Sequence, residues 1–374
     1  MTNGKLLSQT ISFLRFPVTL GILYVHFYLA KGGLSIHGVR YGVDCPDWFF
    51  YTNVYFSGVL VGVCVPIFYW ISGLLFFHNM EFSWKGYWEK LRRRGRTLLI
   101  PYILWNIIAI LWTAKIFLPF LSSFFTNAGH IELNLTWQGF LYTFLDNSKG
   151  LFLTPETIPP KFMLPIDGPL WYIRVLMQLV ILSPVIYWLV KKLKIWLVLA
   201  LGVTTLFFCP PDFGGMPFWT IFYFCWGAYY SIHKRDVIAI MRKYWFMPLV
   251  YFVVTIIDLT TYGLPINYYT GNLVVVVGIP ALIVGTSYLL EKGYVKVNTT
   301  LANSSFFVFA LHTMIMYDMA KILVLAFHIP NNPYVLLVFY FAMPLITAFV
   351  CVAIYLALRR WMPSFCGLLT GGRT

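Results

Sequence analysis

Ten apolar stretches run through this chain, most of them about long enough to cross a lipid bilayer. They lie near 11–31, 52–78, 97–119, 169–190, 195–209, 217–232, 246–262, 273–290, 302–327 and 334–358. The chain is 60% hydrophobic and 11% charged, with a mean hydropathy of +0.76. A soluble domain is nearer a quarter charged, so these residues cannot enclose their own apolar surface in water. The expected fold is an all-α polytopic membrane protein of about ten transmembrane helices. Segments 195–209 and 217–232 are the shortest and fit equally well as a pair of buried or re-entrant helices.

Loop charges orient the chain. With the N-terminus inside, the cytoplasmic segments collect nineteen of the 27 Lys and Arg residues, including Lys85, Lys90, Arg92, Arg93, Arg94 and Arg96. The outer loops hold four, Lys31, Arg40, Lys149 and Lys161, and four more fall within spans. Cytoplasmic loops attract Lys and Arg, so both termini are expected in the cytoplasm. The same rule accounts for the net charge of +14, and no nucleic-acid partner is expected. Six cysteines without a CxxC pair support neither a disulfide framework nor a metal site. The first apolar run is read as a membrane helix, because more spans follow it and no small-residue cleavage site is suitably placed.

The outer loops are short except for 32–51 and 120–168. The second is rich in Pro, Gly and Asn, has a short helix expected at 136–145, and is long enough to be a binding loop or lid. No internal repeat or separate soluble domain is evident, so residues 1–374 read as a single membrane domain whose chemistry must lie among the helices or their ends.

Ionisable residues within spans are functional candidates by default. Arg15 and His26 are eleven residues apart on the first helix, close to three turns, which places them on one face ~16 Å apart. Snorkelling would also explain Arg15, and a satisfied polar contact would explain His26. The second span carries Ser72-Gly73 among aromatic residues, a step that lets a ligand or another helix approach closely. Arg92-Arg93-Arg94-Gly95-Arg96 precedes the third span; guanidinium forks suit phosphate, although a topology signal has the same composition. Asp167-Gly168-Pro169-Leu170-Trp171-Tyr172-Ile173-Arg174 opens the fourth span, with Pro169 as a start signal. Arg174 there needs an anionic or carbonyl partner, from Asp167, a substrate or elsewhere. The ninth span contributes His312, Asp318 and Lys321, the last two spaced to pair with each other.

Taken together, these segments resemble the acyltransferase 3 family of integral membrane acyltransferases. Arg15 and His26 match its basic residue, ten-residue gap and histidine. Phe68 to Phe77 is similar to its aromatic Ser-Gly segment, and Arg93 and Arg96 fit its Arg-x-x-Arg pattern. Leu170-Trp171-Tyr172-Ile173-Arg174, followed by Leu182-Ser183-Pro184, and Phe306 to His312 resemble its later segments. Some relatives have a carboxylate after the fourth-helix arginine; here Val175-Leu176-Met177 follows. The soluble hydrolase-like domain carried by some relatives is not present.

The resemblance implies transfer of an acyl group, chiefly acetyl, from cytoplasmic acyl-CoA to a carbohydrate hydroxyl outside a bacterial cytoplasmic (inner) membrane. The acceptor stays open among a polysaccharide, a lipid-linked sugar, peptidoglycan and a small molecule, with a carbohydrate or envelope glycan expected. His26 and Arg15 are then the expected catalytic residues, with His26 as base or acyl carrier. Arg93, Arg96 and Ser72 are expected to bind the donor. Arg174, Trp171, Asp167 and His312 are expected to contact substrate or a developing oxyanion, without a metal. A transporter or flippase of an envelope saccharide also suits ten helices with intramembrane charges, though without an inverted repeat. A non-catalytic envelope scaffold would tolerate replacement of these side chains.

Overall fold

A computed structural model describes residues 2–31, 34–36, 39–117, 132–153 and 163–373. Each of the ten apolar segments is helical, but the boundaries move in ways that matter for the site. The first helix, α1 (Asn3–His26), starts eight residues before the apolar run and ends on His26. Beyond it, strands β1 (Leu34–Ile36) and β2 (Val39–Tyr41) pair antiparallel, Leu34 opposite Tyr41. Helix α2 (Asp47–Asn53) runs into a wide turn at Val54–Val59, where the Leu60 amide reaches back five residues to Tyr55. Helix α3 (Cys64–Phe76) follows.

The basic stretch was expected as a loop ahead of the third span. It is instead helical: α4 (Trp84–Arg94), a π segment (Gly95–Leu99) and α5 (Ile100–Thr113) form one apolar-ended run of 30 residues. In the π segment the Ile100 amide bonds back to Gly95 rather than to a residue four earlier. Exposed Trp84 and Trp88 on α4 are suited to the membrane interface.

In the long 120–168 segment, β3 (Glu132–Leu133) pairs with β4 (Phe152–Leu153). The helix expected at 136–145 is α6 (Trp137–Thr143), capped by the Thr136 hydroxyl accepting from the Gly139 amide at 3.0 Å. Residues 118–131 and 154–162 of the expected loop, Lys161 among them, lie outside the described residues.

A short turn at Gly168–Leu170 leads into α7 (Trp171–Ile181), which bends by 65° into α8 (Ser183–Leu193). Pro184 in the first turn of α8 explains the break, since it has no amide to continue the ladder. Next come α9 (Ile195–Phe207), α10 (Phe218–Ile232) and α11 (Val237–Met241). Helix α12 (Met247–Thr260) has Pro248 in its first turn and lies at 62° to the Val237–Tyr244 segment before it. The long helices α13 (Asn267–Glu291), α14 (Thr299–Ala326) and α15 (Pro333–Trp361) follow, and α16 (Pro363–Thr370) is the final element.

This is an all-α multi-pass membrane protein, as its apolar segments predict. Among the described residues six helices are long and apolar enough to cross a membrane, or up to eight if each bent pair is one span. At ~1.5 Å per residue α9 and α10 are each shorter than a hydrocarbon thickness of ~30 Å, in keeping with the alternative of two short buried or re-entrant helices there.

The chain divides into two compact units. Unit 1 comprises Met1–Val25, Val54–Arg93 and Val175–Ser305; unit 2 comprises His26–Asn53, Arg94–Arg174 and Phe306–Thr374. Within unit 1, α3 and α10 cross backbone to backbone, and the Ser231 hydroxyl donates to the Leu74 carbonyl at 2.5 Å. Within unit 2, buried Trp105 of α5 donates its indole N–H to the Leu369 carbonyl of α16 at 3.0 Å and meets Phe307 edge-on. Gly371, with φ of +62°, closes α16 so tightly against Thr97 that a side chain there would strike its carbonyl.

Candidate active site

The candidate residues fall into two groups. Arg15, Ser72 and Arg93 belong to unit 1; His26, Arg96, Asp167, Trp171, Arg174 and His312 belong to unit 2.

In unit 2 the end of α1 is pinned to α14. The Tyr317 hydroxyl donates to the His26 carbonyl at 2.5 Å. Immediately afterwards, fully buried Phe27 wedges between Tyr317 and Phe339. The His26 ring lies 5.2 Å centre to centre from the buried His312 ring, at a tilt of 54°. His312 Nδ1 lies 2.7 Å from the Phe309 carbonyl, and its Nε2 has no hydrogen-bond partner among the described residues. Two histidines that are 286 residues apart in sequence are therefore neighbours.

A second polar cluster ties residues 143–147 to residues 163–174. The Arg174 Nη2 donates to the Met163 carbonyl at 2.7 Å, and Nη1 to the Leu145 carbonyl at 3.4 Å. Tyr102 donates its hydroxyl to the neighbouring Phe144 carbonyl. The segment closes on itself through Ile166 to Thr143 at 2.9 Å and Asn147 to Leu164 at 2.7 Å. Arg174 thus has the carbonyl partners its position demanded, and they are loop backbone.

Asp167 sits behind this clamp, 1% exposed. Its amide donates to Asn106 Oδ1 at 3.2 Å, and Asn106 Nδ2 donates to the Tyr102 carbonyl at 2.7 Å. Thr313 stands close to the Asp167 carboxyl, yet neither oxygen completes a hydrogen bond among the described residues. A buried carboxyl so sparsely bonded is costly. Trp171 is partly exposed at the start of α7.

Sequence reading missed Asn106, Tyr102, Thr313 and Tyr317. Asn106, a fully buried amide in an otherwise apolar helix, carried a readable signal. The other three are ordinary span residues whose importance comes from long-range contacts.

In unit 1, Arg15 is partly exposed on α1, two residues before Pro17, which has no amide to bond within the helix. Gly73 serves the α3–α10 crossing, so helix packing accounts for that half of the Ser72-Gly73 step. Arg93 and Arg96 are exposed near the junction of α4 and the π segment, without an ion pair among the described residues. A cavity of about 710 Å³ opens beside Asn3, His78, Glu81, Lys234, Arg235 and Asp236. Its lysine and arginine are balanced by two carboxylates, which makes it a poor seat for a polyphosphate. Among the described residues no group of His, Cys, Asp and Glu is gathered as a metal site requires.

A family model described as an acyltransferase domain matches residues 10–356. The chain belongs to this family. As an O-acyltransferase of the acyltransferase 3 family it is an enzyme that draws on an acyl donor. It is also similar to the succinoglycan biosynthesis protein ExoH of Rhizobium meliloti (strain 1021), 25% identical over 380 residues, covering 98% of this chain and 93% of the relative. No solved structure matches it significantly. For an acyltransferase, the His26 and His312 pair is the natural place to look for proton transfer, because imidazole is the side chain that exchanges a proton near neutral pH.

Proposed function

We propose that this acyltransferase moves an acyl group, most simply acetyl, from cytoplasmic acyl-CoA to a hydroxyl of a polysaccharide or lipid-linked saccharide outside the bacterial inner membrane. The observation that carries the reading is His26, held at the end of α1 against His312 in a chain of this family. The kinship to a protein named for succinoglycan biosynthesis supports a polysaccharide acceptor.

In this reading His26 takes the proton of the attacking hydroxyl. The oxygen attacks the thioester carbonyl, the tetrahedral intermediate collapses, and the departing CoA thiolate recovers the proton from His26. Arg15, three turns earlier on the same helix, supplies positive charge for the polar thioester and its oxyanion. Arg93 and Arg96, exposed and rich in donors, hold the phosphates of the donor's nucleotide, and Ser72 lines the path of its pantetheine arm. Arg174 serves the acceptor indirectly by fixing the outer loop, while Trp171 and the unsatisfied Asp167 carboxyl contact the sugar.

The test is reconstitution in vesicles with labelled acetyl-CoA and glycan isolated from the producing cell. Wild-type protein should release CoA and label the glycan. His26→Ala and Arg15→Ala proteins, folded and membrane-inserted, should lose roughly 10²- to 10⁴-fold in rate. Variants that transfer normally would overturn the assignment. A wild-type protein that moves saccharide across the vesicle without consuming acetyl-CoA would establish a transporter instead.

A further inference from the structure

We infer that His312 is a positioning residue for His26: its Nε2 accepts a hydrogen bond from one ring nitrogen of His26 and so leaves the other free to act as base. The inference rests on the acyl-transfer reading above.

The argument begins with the tautomer of His312. Its Nδ1 faces the Phe309 carbonyl at 2.7 Å. A carbonyl oxygen only accepts, so Nδ1 carries the hydrogen. In the neutral ring Nε2 is then a lone-pair acceptor. It is fully buried and has no donor among the described residues. A buried acceptor in this state calls for a donor.

The imidazole of His26 is a suitable donor. Its ring centre is 5.2 Å from that of His312, a separation that brings two facing ring nitrogens to hydrogen-bond distance. The bond is not formed in this state, since His312 Nε2 has no partner among the described residues. Turning the His26 ring about its side-chain bonds forms it, while the Tyr317 hydroxyl keeps the His26 backbone in place. The Phe309 ring lies 6.2 Å from the His312 ring, centre to centre, and its carbonyl holds Nδ1.

The consequence for the reaction is specific. Neutral His26 has one N–H. Once that hydrogen is directed at His312, the lone pair faces the arriving hydroxyl. When the hydroxyl proton is taken up, the imidazolium keeps its bond to His312, which remains neutral throughout. His312 therefore acts as an acceptor rather than as a donor to an oxyanion, because its only hydrogen is committed to Phe309. This replaces the oxyanion contact that the sequence alone suggested for it.

The test compares His312→Leu, which removes the acceptor, with His312→Gln, whose amide oxygen can restore it. Acyl transfer from acetyl-CoA to cell-derived glycan is followed in vesicles. Leu should lower kcat by about 10²-fold or more with little change in the acetyl-CoA KM, and Gln should recover most of the loss. A His312→Leu protein with normal kcat, or equal losses in Leu and Gln proteins, would overturn the inference. Nitrogen-15 spectra of histidine-labelled protein read the tautomer without activity. One unprotonated ε nitrogen should disappear in the Gln protein, and its absence from the wild-type spectrum would also overturn the inference. Failure of the wild-type protein to transfer acetyl groups would count against the proposed function instead.

Discussion

Gly73 and Gly227 open the same helix crossing from opposite sides: a methyl group on Gly73 would run into the carbonyl of Phe224, and one on Gly227 into the carbonyl of Trp70. The reciprocity means that neither backbone can retreat without lifting the other. Gly73→Ala or Gly227→Ala should each destabilise the protein by about 1–3 kcal/mol through overpacking. Because both act on one crossing, the double variant should cost less than their sum. Thermal melting in detergent measures both effects; unchanged melting in either single variant would contradict the crossing.

Arg174 should matter through the outer loop. Arg174→Met removes the donors to Met163 and Leu145, bonds of a charged group that are each worth roughly 1.5–3 kcal/mol. The expected outcome is faster proteolysis between residues 143 and 166 in spheroplasts, where only the outer face is accessible. Arg174→Lys should not restore protection, since an ammonium has no fork to reach both carbonyls. Equal cleavage of wild-type and variant protein would instead favour a direct substrate role.

The basic cluster should respond to the phosphates of the donor and not to its thioester. Arg93→Gln and Arg96→Gln should each raise the KM for acetyl-CoA by about tenfold, the worth of a lost charge-assisted bond. The KM for acetyl-pantetheine, which has no nucleotide, should be the same in all three proteins. If both donors weaken alike, the arginines hold the fold and not the nucleotide.

Acid should loosen the contact between the start of α1 and α11. Asp236 accepts from the Ala239 amide at 3.0 Å and from Asn3 Nδ2 at 2.7 Å. Partial burial opposes its ionisation, but these hydrogen bonds, the Ala239 amide foremost, outweigh it and hold the carboxyl below its usual value. The sign follows: the contact is fully present above the unfolded value of about 3.9 and is lost as pH falls through the lower folded one. Hydrogen-exchange protection of the Ala239 amide should therefore decline as pH drops below about 4. Asp236→Asn should flatten that decline, because its amide oxygen still accepts; a flat wild-type profile would contradict the account.

Hydropathy located every long helix because burial in lipid or in the bundle demands apolar composition wherever it occurs. It could not separate a full crossing from a short buried helix, which is why α9 and α10 fit either reading. Nor could composition reveal that Arg93 and Arg96 belong to a helix, since a solvated basic run reads alike in either state. For the site, the Arg15 and His26 spacing was legible because both lie on one helix. The approach of His26 to His312 and the loop carbonyls that hold Arg174 arise from tertiary folding, which leaves no local pattern. The bends at Pro184 and Pro248 lie between, visible as prolines but not as angles.

The π segment at Gly95–Leu99 amounts to one extra residue accommodated within a helix. Deleting Gly95 would allow ordinary hydrogen bonding to resume, yet would turn the preceding residues by roughly 100° about the helix axis. Arg92 and Arg93 would then present a different azimuth from the one they hold now, with every side chain retained. In this stretch a one-residue gap in an alignment is therefore not neutral: relatives with the same arginines but a different count would aim them at different ligands.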